Sequence, residues 1–165
     1  MNLSASRKLL IAGGLALLIF AMSYGLWYAL FAEHQALQGM GVNLATGFAQ
    51  AASGNLADSH QSIQQYVRVK YEYVRHVDVH SHWGGLAMIL IVLGAMFDRI
   101  GFSERMRFYL ALVLLAGSAL FPLGVILQTA TTPFVGSALA VAGSALVIVG
   151  LVFVAIGFWR ERGVS

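Results

Sequence analysis

Three histidines and one aspartate lie within seven residues, in the segment HVDVHSH at positions 76–82. Imidazole and carboxylate groups are ligands for copper, zinc and iron, and imidazole is also an axial ligand of haem iron. The apolar run LAMILIVLGAMF, at positions 86–97, follows almost at once. Ionisable residues that enter an apolar segment of this kind mark a candidate functional site of a membrane protein.

Helical spacing sorts these side chains onto two faces. Glu72, His76 and His80 recur every four residues and share one stripe, which we interpret as a surface in contact with water. Together with His34, the same stripe is an alternative site for a non-haem metal. Asp78 lies four residues before the third histidine of the segment and can accept the second ring N–H of a metal-bound imidazole.

Depth in a bilayer separates the histidines further. His82 lies 16 residues before Asp98, which is about 24 Å along a helix and inside a hydrocarbon core of about 30 Å. The same count places His80 at about 27 Å and His76 at about 33 Å, close to the headgroups. His82 is therefore the predicted intramembrane ligand.

Small and aromatic residues accompany this histidine. Gly84 and Gly85 follow it and leave room for a flat group, such as a porphyrin, to approach the backbone. Tyr24 lies 16 residues after Lys8, so it reaches a similar depth and is the candidate donor of a hydrogen bond to a bound substrate.

The elements that must position these residues are membrane spans. The chain is 59% hydrophobic and only 10% charged, which is too little charge for a soluble domain. Three segments without charge, at positions 9–32, 108–128 and 134–159, are long enough to cross a membrane, and the run 83–97 becomes long enough with the histidine segment. The sequence predicts an all-α, polytopic protein with four transmembrane helices in a bundle, forming a single domain over residues 1–165.

Connections and charges give the orientation. The connection at 33–79 is predicted to be a partly helical outer loop, with a short helix from Asn43 to near Gly54 and a second from Asp58 or Ser59 into the second span. The side of the membrane predicted to be cytoplasmic carries seven basic residues: Arg7, Lys8, Arg99, Arg105, Arg107, Arg160 and Arg162. Both termini are then cytoplasmic, as expected for a bacterial inner-membrane protein. The absence of cysteine excludes disulfides and iron–sulfur clusters, and the charge of +3 reflects orientation rather than nucleic-acid binding.

The segment HSHWGGLAMILIVLGAMFDRIGFSERMRFYLAL, at positions 80–112, resembles the styrene oxide isomerase family. The matching features are His82-Trp83-Gly84, the apolar run, Gly101-Phe102 and the short basic loop at 104–107. They cover roughly a third of the chain. Members of that family are small four-span membrane enzymes that hold haem b between the subunits of a trimer.

The resemblance implies that His82 is the axial ligand of a haem b. It also implies a homo-oligomer that isomerises a small hydrophobic epoxide, taken up from the lipid, to a carbonyl compound. The family has an asparagine six residues after the ligand and a tyrosine late in the third span, whereas Met88 and Ile126, or a close neighbour of Ile126, occupy these places here. Two other functions remain open: a non-haem copper, iron or zinc membrane protein, and a haem-carrying accessory subunit of a respiratory or oxygenase complex.

Overall fold

The computed structural model describes residues 4–130 and 133–161, and every regular element in these ranges is helical. The five α-helices are α1 (Ala5–Phe31), α2 (Glu33–Ala52), α3 (Leu56–Met96), α4 (Glu104–Leu127) and α5 (Pro133–Glu161), with a 3₁₀ turn at Phe97–Arg99. Four of them are long and apolar enough to cross a membrane: α1, α3 (with the 3₁₀ turn), α4 and α5. The predicted all-α, four-span class is confirmed. Some residues named in the predictions lie outside the described ranges. They are Thr131 and Thr132, between the third and fourth predicted spans, and Arg162, one of the basic residues predicted to be cytoplasmic.

The chain forms two compact units, one of residues 1–22 and 79–165 and the other of residues 23–78. We call the first the span unit and the second the outer-segment unit. Helices α1 and α3 each contribute residues to both. The prediction of a single domain is not tested by this division and stays a prediction.

An apolar core joins the four long helices within the span unit. Its buried members are Leu10, Leu90, Phe97, Ile100, Leu110, Ala111, Leu114 and Val154. Around this core, most other apolar side chains of the helices are exposed, as expected when lipid rather than water is the surrounding solvent. Helices α4 and α5 pack closely because glycines face the partner backbone: a Cβ at Gly117 would lie 2.9 Å from the carbonyl oxygen of Gly143.

Polar side chains join the start of α1, the 3₁₀ turn and the start of α4 in the span unit. The Ser6 amide donates to Glu104 at 3.0 Å, and Arg7 pairs with Asp98 at 3.3 Å. Arg107 donates to the Asp98 carbonyl oxygen at 2.8 Å. These contacts join the beginnings of α1 and α4 to the 3₁₀ turn, so the loop after α3 has a defined conformation.

The outer-segment unit corrects one prediction and refines another. The first helix of the outer connection begins at Glu33, ten residues earlier than the predicted start at Asn43, because only Ala32 interrupts the helical backbone after α1 and Glu33 is a favourable first-turn residue. The next helix begins at Leu56, where the Asn55 side chain accepts from the Asp58 amide at 3.4 Å. Gly54, with φ of +79°, makes the turn between them.

Candidate functional site

His82 lies on α3 with its side chain exposed on the surface of the span unit. Its ring lies 4.8 Å from the Phe121 ring at an interplanar angle of 46°. Among the described residues, no side chain or backbone group forms a hydrogen bond with its imidazole. The ring nitrogens of His82 are therefore available to a group from outside the described residues.

The adjacent Trp83 fixes the rotation of this part of α3. It is only 5% exposed, its indole N–H donates to the Ala119 carbonyl oxygen at 3.3 Å, and the Phe20 ring meets it edge-on at 4.8 Å. Since successive residues on a helix point about 100° apart, the burial of Trp83 leaves His82 facing outward. The exposed orientation of His82 therefore follows from packing of its neighbour.

Gly85 leaves open space on the side of α3 that His82 faces. At about 100° per residue, Gly85 lies about 60° from His82 around the helix, whereas Gly84 lies about 160° from it. A Cβ built on either glycine would meet no heavy atom within 4 Å, whereas a Cβ at Gly124 would collide with the backbone of Ala140. Neither Gly84 nor Gly85 is thus needed for packing within this chain, and the role predicted for Gly84 stays a prediction.

The surface at His82 offers an imidazole without a hydrogen-bond partner among the described residues, open space at Gly85, and the exposed apolar side chain of Ile89 about two helical turns along α3. A neutral imidazole with apolar surroundings is a suitable axial ligand for haem iron. Binding of haem iron by one imidazole requires no second ligand from this chain.

His80 has a partner within the span unit. Its Nδ1 lies 2.8 Å from the carbonyl oxygen of Ala21, and its side chain is half-buried. With one ring nitrogen used in this bond, His80 serves to connect α3 with α1. This contact was not predicted from the sequence, in which the two residues are 59 positions apart.

Tyr24 and His76 form a pair in the outer-segment unit. The Tyr24 hydroxyl lies 2.6 Å from Nδ1 of His76, and the Tyr28 ring stacks on the His76 ring with centroids 4.6 Å apart. Sequence reasoning missed this pair, although the spacing of Tyr24 and Tyr28 at i and i+4 was a signal that both face one neighbour. The predicted catalytic role of Tyr24 stays a prediction, and its hydroxyl has a structural partner.

The remaining predicted ligands pair with nearby cations or face outward. Asp78 pairs with Arg75 at 3.7 Å and Glu72 with Arg68 at 3.2 Å, and His34 is exposed. In the described ranges, no three histidine, aspartate or glutamate side chains come close enough to hold a metal ion together. The orientation of His82 by Asp78 and the alternative metal site at His34, Glu72, His76 and His80 stay predictions.

Fold and hydropathy define the class of this molecule as a multi-pass, all-helical membrane protein with an exposed histidine on one span. Comparison with models of protein families, with curated proteins and with solved structures finds no match for the chain. Its function is therefore argued from the site itself.

Proposed function

We propose that this protein is a membrane haem-b protein of the epoxide-isomerase type, in which His82 is the axial ligand of the iron. One observation carries the proposal. His82 belongs to an apolar span, yet its imidazole is exposed without a hydrogen-bond partner among the described residues, with open space at Gly85 on the same side of α3. An imidazole inside a membrane that has no hydrogen-bond partner in its own chain is a candidate ligand of a metal centre.

In this proposal, different residues of the chain bind the iron, orient the bound imidazole and leave space for the porphyrin. The His82 imidazole binds the iron, and the Phe121 ring limits the rotation of that imidazole from one side. Gly85, on the side of α3 that His82 faces, would leave room for the porphyrin close to the backbone. A ferric haem held by His82 would supply a Lewis acid for an epoxide oxygen, which is the chemistry that isomerisation of an epoxide to a carbonyl compound needs.

The substrate class follows from access. The His82 surface opens toward lipid, so a small hydrophobic epoxide dissolved in the membrane can reach it without crossing a polar barrier. Charge develops on the epoxide oxygen as the ring opens, and a group that stabilises this charge accelerates the reaction. The sequence predicts Tyr24 for that purpose, in place of the tyrosine of the family that this sequence resembles, and the Tyr24 hydroxyl bonds to His76 within the outer-segment unit.

A homo-oligomer completes the proposal. A haem bound at a surface histidine exposes its other edge to lipid unless a second copy of the chain covers it, and the resemblance to styrene oxide isomerases favours a trimer. The proposed location is a bacterial inner membrane, with both termini in the cytoplasm, on the basis of the basic residues.

The absorbance spectrum of the purified protein tests the proposal. Expression with added haem should give a Soret band with about one haem per chain, and incubation with styrene oxide should give phenylacetaldehyde. Absence of the Soret band after haem supplementation would remove the proposal. A six-coordinate haem without isomerase activity would instead favour an accessory electron-transfer subunit, because no iron position would then be open to substrate.

A further inference from the structure

A second candidate site lies within the outer-segment unit, and its lining residues do not include His82 or Gly85. It is a cavity of about 280 Å³ between the end of α1, the start of α2 and the middle of α3. Tyr28, Gln35, Glu72, Tyr73 and His76 give it aromatic and polar walls. This volume is at the lower end of the range for ligand sites, so a ligand would be small.

The aromatic walls are held in place by contacts with each other. The Tyr28 and Tyr73 rings have centroids 6.3 Å apart and are tilted by 46°, and Tyr28 also stacks on His76. The Tyr73 hydroxyl donates to Glu33 at 3.4 Å, and the Tyr24 hydroxyl bonds to His76. Rings fixed from both sides provide a preorganised surface, which lowers the entropic cost of binding.

The electrostatic balance around the cavity is negative. Glu72 lines it and Glu33 contacts one of its tyrosines, whereas no lysine or arginine of the described part of the chain lines it. Arg68 pairs with Glu72 through a side chain that is 82% exposed, and such a surface ion pair is weak and exchanges easily. Arg75 is occupied elsewhere, with its guanidinium 4.9 Å from the Tyr71 ring centroid and a carboxylate partner in Asp78.

We propose that this cavity binds a small organic cation, namely a quaternary or alkylated ammonium ion. Aromatic faces attract such cations, and a carboxylate adds a direct charge interaction. Carboxylates at the wall disfavour an anion. A zinc ion would find one carboxylate and one imidazole among the lining residues, from Glu72 and His76, whereas zinc sites use three or four such ligands. The proposal concerns different residues from the haem proposal and does not depend on it.

Choline and its neutral isostere 3,3-dimethylbutan-1-ol separate the effect of charge from the effect of shape. Isothermal titration calorimetry of the full chain in detergent should show choline binding, with the alcohol at least about tenfold weaker. Glu72→Gln should weaken choline binding by about threefold to tenfold and leave the alcohol unchanged. Asp58→Asn is the matched control, because it removes one negative charge from the same unit outside the cavity and should leave choline affinity unchanged.

Tyr73→Leu tests the aromatic wall, and the expected result is a loss of choline affinity of about tenfold. Near-ultraviolet circular dichroism of each variant shows whether the rings keep their arrangement. Equal binding of choline and the alcohol, no choline binding by the native chain, or an equal effect of Glu72→Gln and Asp58→Asn would each overturn the proposal. None of these outcomes bears on the Soret band, so the two proposals fail separately.

Discussion

His82 and His80 are two residues apart on α3, but their surroundings differ. The His80 ring bonds to the Ala21 carbonyl oxygen, whereas the His82 ring has only the contact with Phe121 among the described residues. A backbone carbonyl at Nδ1 fixes the orientation of the His80 ring and leaves its Nε2 without that contact, an arrangement that metal-bound histidines also show. The assignment of His82 as the ligand therefore stays a prediction, and variants of the two histidines test it.

We therefore expect His82→Ala to lose most bound porphyrin while remaining folded in the membrane. His80→Ala should keep its haem, because this substitution removes a hydrogen bond inside the span unit and no iron ligand. The ratio of Soret to protein absorbance measures both effects. Loss of haem from His80→Ala with an intact spectrum for His82→Ala would contradict the ligand assignment.

Gly85 allows a second test on the same surface. A Cβ there meets nothing within 4 Å, so Gly85→Leu should fill the proposed porphyrin space without disturbing the fold. We expect a lower haem content and an unchanged melting temperature. Met88→Leu, which keeps a similar volume on an exposed position of α3, is the control and should retain haem. Full haem occupancy in Gly85→Leu would show that the porphyrin does not approach this glycine.

At the scale of elements, α3 combines a charged outer segment and an apolar span in one helix of 41 residues. The sequence predicted this continuity, as a helix that runs from Asp58 or Ser59 into the second span. The start of α2 was harder to predict. Gly39 and Gly41 weaken helix propensity by about 1 kcal/mol each, and only the contacts of a folded unit decide whether a helix continues through them.

Helices α4 and α5 depend on glycines at their contact. A Cβ at Gly124 would overlap the backbone of Ala140, which cannot move as a flexible side chain does. Gly124→Ala should lower stability by about 1–3 kcal/mol through overpacking. Thermal unfolding in detergent measures this change, and Gly84→Ala, at a position without neighbours, is the control with little expected effect. Equal melting temperatures for the two variants would mean that α4 and α5 do not pack as closely as described.

At the scale of the whole molecule, the chain lacks cysteine, which makes single-cysteine labelling a direct test of orientation. The basic residues predict that the turn between α2 and α3 is outside the cell and the loop before α4 is inside. A membrane-impermeant maleimide should therefore label Ser53→Cys in intact cells and Met106→Cys only after lysis. Both positions are exposed. The opposite labelling pattern would invert the proposed topology.

The class of the molecule was determined by the sequence alone. Long runs without charge, of the length of a bilayer core, must become helices that satisfy their own backbone hydrogen bonds, whatever their neighbours. Composition and spacing were therefore sufficient for the all-α, four-span class. They also predicted His82 as the intramembrane histidine, and this depth stays a prediction.

Only the tertiary structure decided which side chains meet. The burial of Trp83 turns His82 outward, Ala21 takes one nitrogen of His80, and Tyr24 reaches His76 across 52 positions of sequence. Helical periodicity gives the relative direction of residues on one helix but not the rotation of that helix against others. That rotation is set by packing of glycines, rings and core side chains that are distant in sequence, so the partners of each histidine could not be derived from spacing.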